Sequence, residues 1–159
     1  MVTLLLALAF LRPVAAPSLP THGVLVPGHS LAGVRLGDTT TSVRTRFGGR
    51  YRRCASCATT TWYFTRPDKA LGLAVSFRSG RVSSVSTLGA LLGWRTSDGL
   101  AVGEGIDRVQ SLYGTLAWHV CIGYGALSMR RPQVVTTIYT TGDVVYGFGL
   151  SRPAEPLCR

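Results

Sequence analysis

Lysine is almost missing from this chain: of 17 basic residues only Lys69 is not arginine. Acids are scarce too, with 7 Asp and Glu, so the net charge is +10. Among so few acids no close carboxylate pair suggests glycoside hydrolysis. The three histidines, His22, His29 and His119, are too dispersed to read as a metal set. Ile122-Gly123-Tyr124-Gly125 lacks the longer glycine fingerprint of a phosphate loop and any following lysine. No metal and no cofactor are expected, and no catalytic residue is assigned. Long apolar runs are also lacking: none reaches the roughly twenty residues that a membrane-spanning helix needs.

What is present suits a packed, turn-rich protein. Of 159 residues 46% are apolar and 15% charged, with 19 glycines and 8 prolines. Arginine pairs with phosphate in a bidentate fork, so the charge raises the question of a nucleic acid or another anionic polymer. The arginines are scattered, however, and only Arg44, Arg46, Arg50, Arg52 and Arg53 cluster locally. That distribution favours a basic exported protein, and no nucleic-acid partner is expected.

Val2 to Leu11 are apolar apart from one threonine, followed by Arg12-Pro13-Val14-Ala15-Ala16. The run fits the core of a secretory signal, with small residues at the cut. No basic residue precedes it, and Pro17 is a poor residue after a cut; the other reading is a buried first element. The expected organisation is a signal peptide over 1–16, a lead-in over 17–27, a first repeat over 28–88, a second over 89–151 and a tail over 152–159. No membrane span remains once the signal is removed.

The repeat is read from GVRLGDTTTSVRTRFG, Gly33 to Gly48, and GLAVGEGIDRVQSLYG, Gly99 to Gly114. An ungapped offset of 66 aligns Gly37 with Gly103, Asp38 with Glu104, Val43 with Val109 and Phe47 with Tyr113. Val43 and Phe47, like Val109 and Tyr113, are four apart and share a helical face. The acid before each helix is expected at its positive end, and the last glycine is expected to stop it. Phe77 to Val82 and Tyr139 to Val144 each read as a hairpin, and Thr60 to Phe64 and Tyr124 to Met129 as further strands. The fold expected is α+β: two tandem repeats, each a short helical segment and an antiparallel meander of about three strands, forming one curved sheet.

This pattern resembles the repeat unit of the β-lactamase inhibitor protein family and of the related outer-membrane assembly lipoproteins of the SmpA/OmlA type, over roughly residues 28 to 150. The lipoproteins carry one copy and the inhibitor family two. The resemblance implies a curved sheet with a concave protein-binding face. Asp38 and Glu104 depart from the family pattern, and the lipoprotein cysteine is absent. Inhibition of a β-lactamase is not carried over, because function belongs to the site and not to the fold.

Four cysteines, Cys54, Cys57, Cys121 and Cys158, allow three disulfide pairings in an exported protein. The pairing preferred is Cys54 with Cys57 and Cys121 with Cys158. A redox pair or a zinc site is the alternative, but Cys54 follows an arginine-rich stretch rather than opening a helix, and no histidine is close. Gly28-His29-Ser30-Leu31-Ala32 imitates the nucleophile elbow of a hydrolase, with Ser30 as nucleophile and His119 as the one histidine after it. Too little chain precedes it for that fold.

The binding residues expected are therefore aromatics in or beside strands, Tyr51, Trp62, Trp118, Tyr124 and Tyr139, with Arg50, Arg52 and Arg53 as a basic rim. Trp62 and Tyr63 must point to opposite faces of a strand. The function expected is that of a secreted or cell-envelope protein, not an enzyme, which recognises another protein, with inhibition of that protein as one form of the role. An anionic envelope polymer is a second candidate partner. An envelope-assembly or cell-wall role and a small serine hydrolase stand as the alternatives.

Overall fold

The computed structural model describes residues 19, 22–65 and 71–158. The signal read over 1–16 lies outside them. Thirteen elements follow in chain order: β1 Val24–Val26, β2 Ser30–Leu31, α1 Thr40–Phe47, β3 Arg52–Arg53, β4 Thr60–Thr65, β5 Gly72–Arg78, β6 Arg81–Leu88, β7 Arg95–Thr96, α2 Ile106–Tyr113, β8 Ala117–Cys121, β9 Tyr124–Arg131, β10 Val134–Thr141 and β11 Val144–Ser151.

Eight strands form one antiparallel sheet in the order β3-β4-β5-β6-β11-β10-β9-β8. A second sheet, β2-β1-β7, is small and includes a parallel pair, β1 with β7. Successive side chains point to opposite faces, and the central strands are buried on both, β5 in six of its seven residues and β6 in six of its eight. Trp62 and Phe64 of β4, Leu73, Val75 and Phe77 of β5, and Phe148 and Leu150 of β11 belong to one buried cluster. Val43 and Phe47 of α1 and Val109 of α2 join it, as do Leu25, Leu31 and Trp94 from the small sheet and its surroundings.

The α+β expectation of two helix-plus-meander repeats is corrected here. Among the described residues the protein is mostly β, with 47% strand and 12% helix, and the large sheet dominates it. The physical reason lies in what the sequence reading omitted. The segments β1, β2 and β7 close into a sheet that draws on both halves of the chain, so neither half buries its apolar face alone. β3 and β8 lengthen the large sheet at its two ends. The helices are two eight-residue segments against a single shared core.

The acids before the helices also act differently from expectation. Asp38 Oδ2 accepts from the Arg35 N–H at 2.9 Å, and Glu104 Oε2 from the Ala101 N–H at 2.6 Å. They close the preceding turns. The cap of α1 is Thr39, whose hydroxyl accepts from the Ser42 N–H at 3.1 Å. Gly48 and Gly114 follow the two helices with φ of 84° and 69°, a backbone region that favours glycine.

Candidate functional site

The large sheet has one face turned to the helices and one turned away. Paired residues in an antiparallel sheet share a face, so the register defines the second surface. One cross-strand row runs from edge to edge: Ala117, Ser128, Thr137, Gly149, Ser86, Ala74, Tyr63, Arg52. The row beside it carries Ser151, Ser84, Ser76 and Thr61. Side chains this small leave the face hollow. Thr61 and Ser76 satisfy each other by a hydroxyl pair at 2.9 Å.

Two things lie over the hollow. Tyr124, Tyr139 and Tyr146 form a three-ring cluster with centroids 5.8–6.0 Å apart. Gly149 permits it, since a Cβ there would meet the Tyr139 hydroxyl at 2.7 Å. The second cover is the tail after β11. Its Glu155 is buried and pairs with Arg78, the Tyr139 hydroxyl donates to the Leu157 carbonyl at 3.4 Å, and Cys158 is bonded to Cys121. The other bridge, Cys54–Cys57, lies at the opposite side, with Cys57 Sγ 3.5 Å from the Tyr63 hydroxyl.

Between these covers a cavity of about 450 Å³ remains. Tyr63, Tyr124, Tyr139 and Tyr146 wall it, Ala74, Ser76 and Ser86 floor it, and Arg78, Glu155 and Pro156 close one side. Its size falls within the range of ligand-binding clefts. Burial raises the Tyr146 phenol to about 12, and the neighbouring phenols of Tyr124 and Tyr139 add to the rise. Each tyrosine here brings an apolar ring with one hydroxyl. The arrangement suits contacts with rings, methyl groups and single polar atoms.

The expected binding residues separate into groups. Tyr124 and Tyr139 wall the cavity. Trp62 is buried in the core on the other face, 4% exposed, with Tyr51 stacked on it at 4.1 Å. Its strand neighbour Tyr63 is the one that faces the cavity. Arg50, Arg52 and Arg53 are exposed, but only Arg52 shares a face with Tyr63; Arg53 pairs with Trp62. Trp118 stands at the far edge of the sheet, half exposed, its ring over Gly125. Tyr63, Tyr146 and the tail's Glu155 were missed by sequence reasoning. Ser30 is buried in β2 of the small sheet, whereas His119 is on β8 with Nε2 2.9 Å from the Ser128 hydroxyl. The elbow-like serine and its histidine thus belong to different sheets. Among the described residues no helix is long and apolar enough to cross a membrane.

No protein-family model matches the chain. No curated protein matches it in sequence either. Among solved structures, an extracellular protein containing an SCP domain from Bacillus anthracis str. Ames superposes with a TM-score of 0.51. The two are 9% identical, and the match covers 74% of this chain and 44% of that one. This chain therefore spans less than half of that neighbour's length, and the likeness is one of fold alone.

Proposed function

We propose that this chain is an extracellular, non-catalytic binding protein that recognises a partner protein through the tyrosine-walled cavity on the helix-free face. The observation that carries the reading is the cavity itself: about 450 Å³ of space above a floor of small side chains, walled by four tyrosines. Tyrosine gives large contact area at low cost in side-chain entropy, together with a hydroxyl to orient the partner. A protruding side chain or loop tip of the partner would fill it. The two disulfides favour an oxidising compartment, and the solved neighbour is itself described as extracellular. The resemblance to the β-lactamase inhibitor protein family belongs to this proposal as well. It supports protein recognition by a sheet face and leaves the target open.

The test is capture from secreted and envelope fractions, at low and high salt, by the oxidised chain and by Ala74→Trp, which places a ring in the cavity. One dominant protein retained at high salt by the parent chain, and bound at least ~10-fold more weakly by the variant, is the expected result. Equal capture by both chains, with an unchanged melting curve for the variant, would exclude the cavity as the site.

A further inference from the structure

Between the small sheet and α1 lies a second cleft, of about 490 Å³, which shares no lining residue with the tyrosine cavity. The register of β1 and β2 sets one wall of it. Leu25 pairs with Leu31, and both are fully buried in the core. Val24, Val26 and Ser30 therefore point the other way, into the cleft. Ala32 and Phe47 complete the apolar lining, and His22 stands beside them.

Two polar groups in the cleft lack a counterpart. Ser30 is 7% exposed, and its hydroxyl has no hydrogen-bond partner among the described residues. A buried hydroxyl left unpaired costs stability, so this one is placed to serve something that enters. Arg46, in the last turn of α1, reaches the same cleft. Its guanidinium lies across Gly33, where an added Cβ would stand 2.5 Å from Nη1, so glycine leaves it that path. The ion pairs among the described residues, Arg78 with Glu155 and Arg108 with Glu104, leave Arg46 without a carboxylate.

These groups together describe one kind of ligand. A guanidinium fork matches the two oxygens of a single carboxylate, whereas a phosphate dianion would call for a second cation. The Ser30 hydroxyl can donate to an oxygen of the same head group. Valine, alanine and phenylalanine side chains offer no polar partner to the remainder, which must be apolar. We propose that this cleft binds a small carboxylate with an apolar body, its head group held by Arg46 and Ser30 and its body lying against Val24, Val26 and Phe47. The site is separate from the recognition proposed above and does not depend on it.

Titration of the full oxidised chain with hydrocinnamate, followed by protein NMR, tests it. The expected result is saturable binding with a Kd at or below about 1 mM. Acetate lacks the apolar body and hydrocinnamyl alcohol lacks the charge, so each should bind at least ~10-fold more weakly. Arg46→Gln should weaken hydrocinnamate at least ~10-fold and Ser30→Ala at least ~3-fold. Arg44→Gln removes the same charge from the same helix outside the cleft, and Ala74→Trp places a ring in the tyrosine cavity; both should bind like the parent. No binding up to about 10 mM overturns the proposal, as does an alcohol bound as tightly as the acid. So does an Arg46→Gln chain that binds like the parent, or an Arg44→Gln chain weakened as much as Arg46→Gln. Loss of binding in Ala74→Trp also overturns it and moves the ligand to the tyrosine cavity.

Discussion

At one end of the large sheet, β3 presents two exposed arginines over only two residues; at the other, β8 presents five residues without a formal charge. Both ends face the same physical problem, a row of backbone groups with no neighbouring strand. The first end is short and charged, which discourages another strand from adding. The second is longer, neutral and apolar. A disulfide accompanies each: Cys54–Cys57 follows β3 within a few residues, while Cys121 ends β8 and reaches to the tail. The difference teaches that, among the described residues, the excess of arginine over acid lies in the part of the chain before residue 89. The arginine-rich composition is therefore a poor guide to the cavity, which lies between the two ends and is walled by neutral tyrosines.

The contrast is sharpest in its two tryptophans. Trp62→Ala, next to the arginine edge, empties a buried ring site and should cost about 3–5 kcal/mol in a denaturant melt. Trp118→Ala, at the neutral edge and half exposed, should cost less than about 1.5 kcal/mol. Equal losses would mean that the two ends are packed alike.

Removing the bridges separately should show the next largest difference. Replacing Cys121 and Cys158 by serine frees a loop with a sequence separation of 37 and should cost about 4 kcal/mol by chain entropy; the same change at Cys54 and Cys57, separation 3, should cost about 2 kcal/mol. The order of the two melting curves is the readout. A smaller effect is expected from Arg78→Ala, which leaves the buried Glu155 carboxylate without its cation. The loss should be about 1–3 kcal/mol near neutral pH, and Glu155→Gln in the same chain should recover part of it.

The smallest effect is a pH dependence set by two half-buried phenols, Tyr146 in the cavity between the two ends and Tyr113 on α2. Tyr113 and Tyr146 both titrate near 12 in the folded chain against 10.0 for the free phenol, in each case chiefly through burial. A raised folded value means that the unfolded chain loses its proton first. The contribution is complete below pH 10 and disappears as the pH rises through 12. Melts between pH 9 and 12 should show this decline, and Tyr146→Phe should flatten part of it.

Several local features were legible in the residues. The Val43–Phe47 and Val109–Tyr113 spacings mark the two short helices, Thr60 to Phe64 marks β4, and the Ser79-Gly80 turn marks the hairpin of β5 and β6. The balance of the fold was not legible. Two-residue strands such as β2, β3 and β7 exist only because a distant segment pairs with them, and no local pattern announces that. β8 did carry a signal, the alternation Trp118-x-Val120-x-Ile122, which went unused. The cavity was half legible. Tyr124 and Tyr139 stood out as aromatics in strands, and alternation showed that Trp62 and Tyr63 could not share a face. Which of the pair faced inward depended on where the helices packed. The Cys121–Cys158 bridge that holds the tail was the pairing expected from the four cysteines, whereas the buried Glu155 that seats the tail over the sheet has no sequence pattern of its own.

The central claim is that recognition resides in the cavity and not in the arginine edge. Once a partner has been captured, its affinity should be measured at 0.15 M salt for the parent chain, Ala74→Trp, and the double variant Arg52→Ala/Arg53→Ala. The account predicts at least ~10-fold weaker binding for Ala74→Trp and less than ~3-fold for the double variant. The reverse order, with binding lost from the arginine variant and kept by Ala74→Trp, would contradict it and assign the partner to the charged edge.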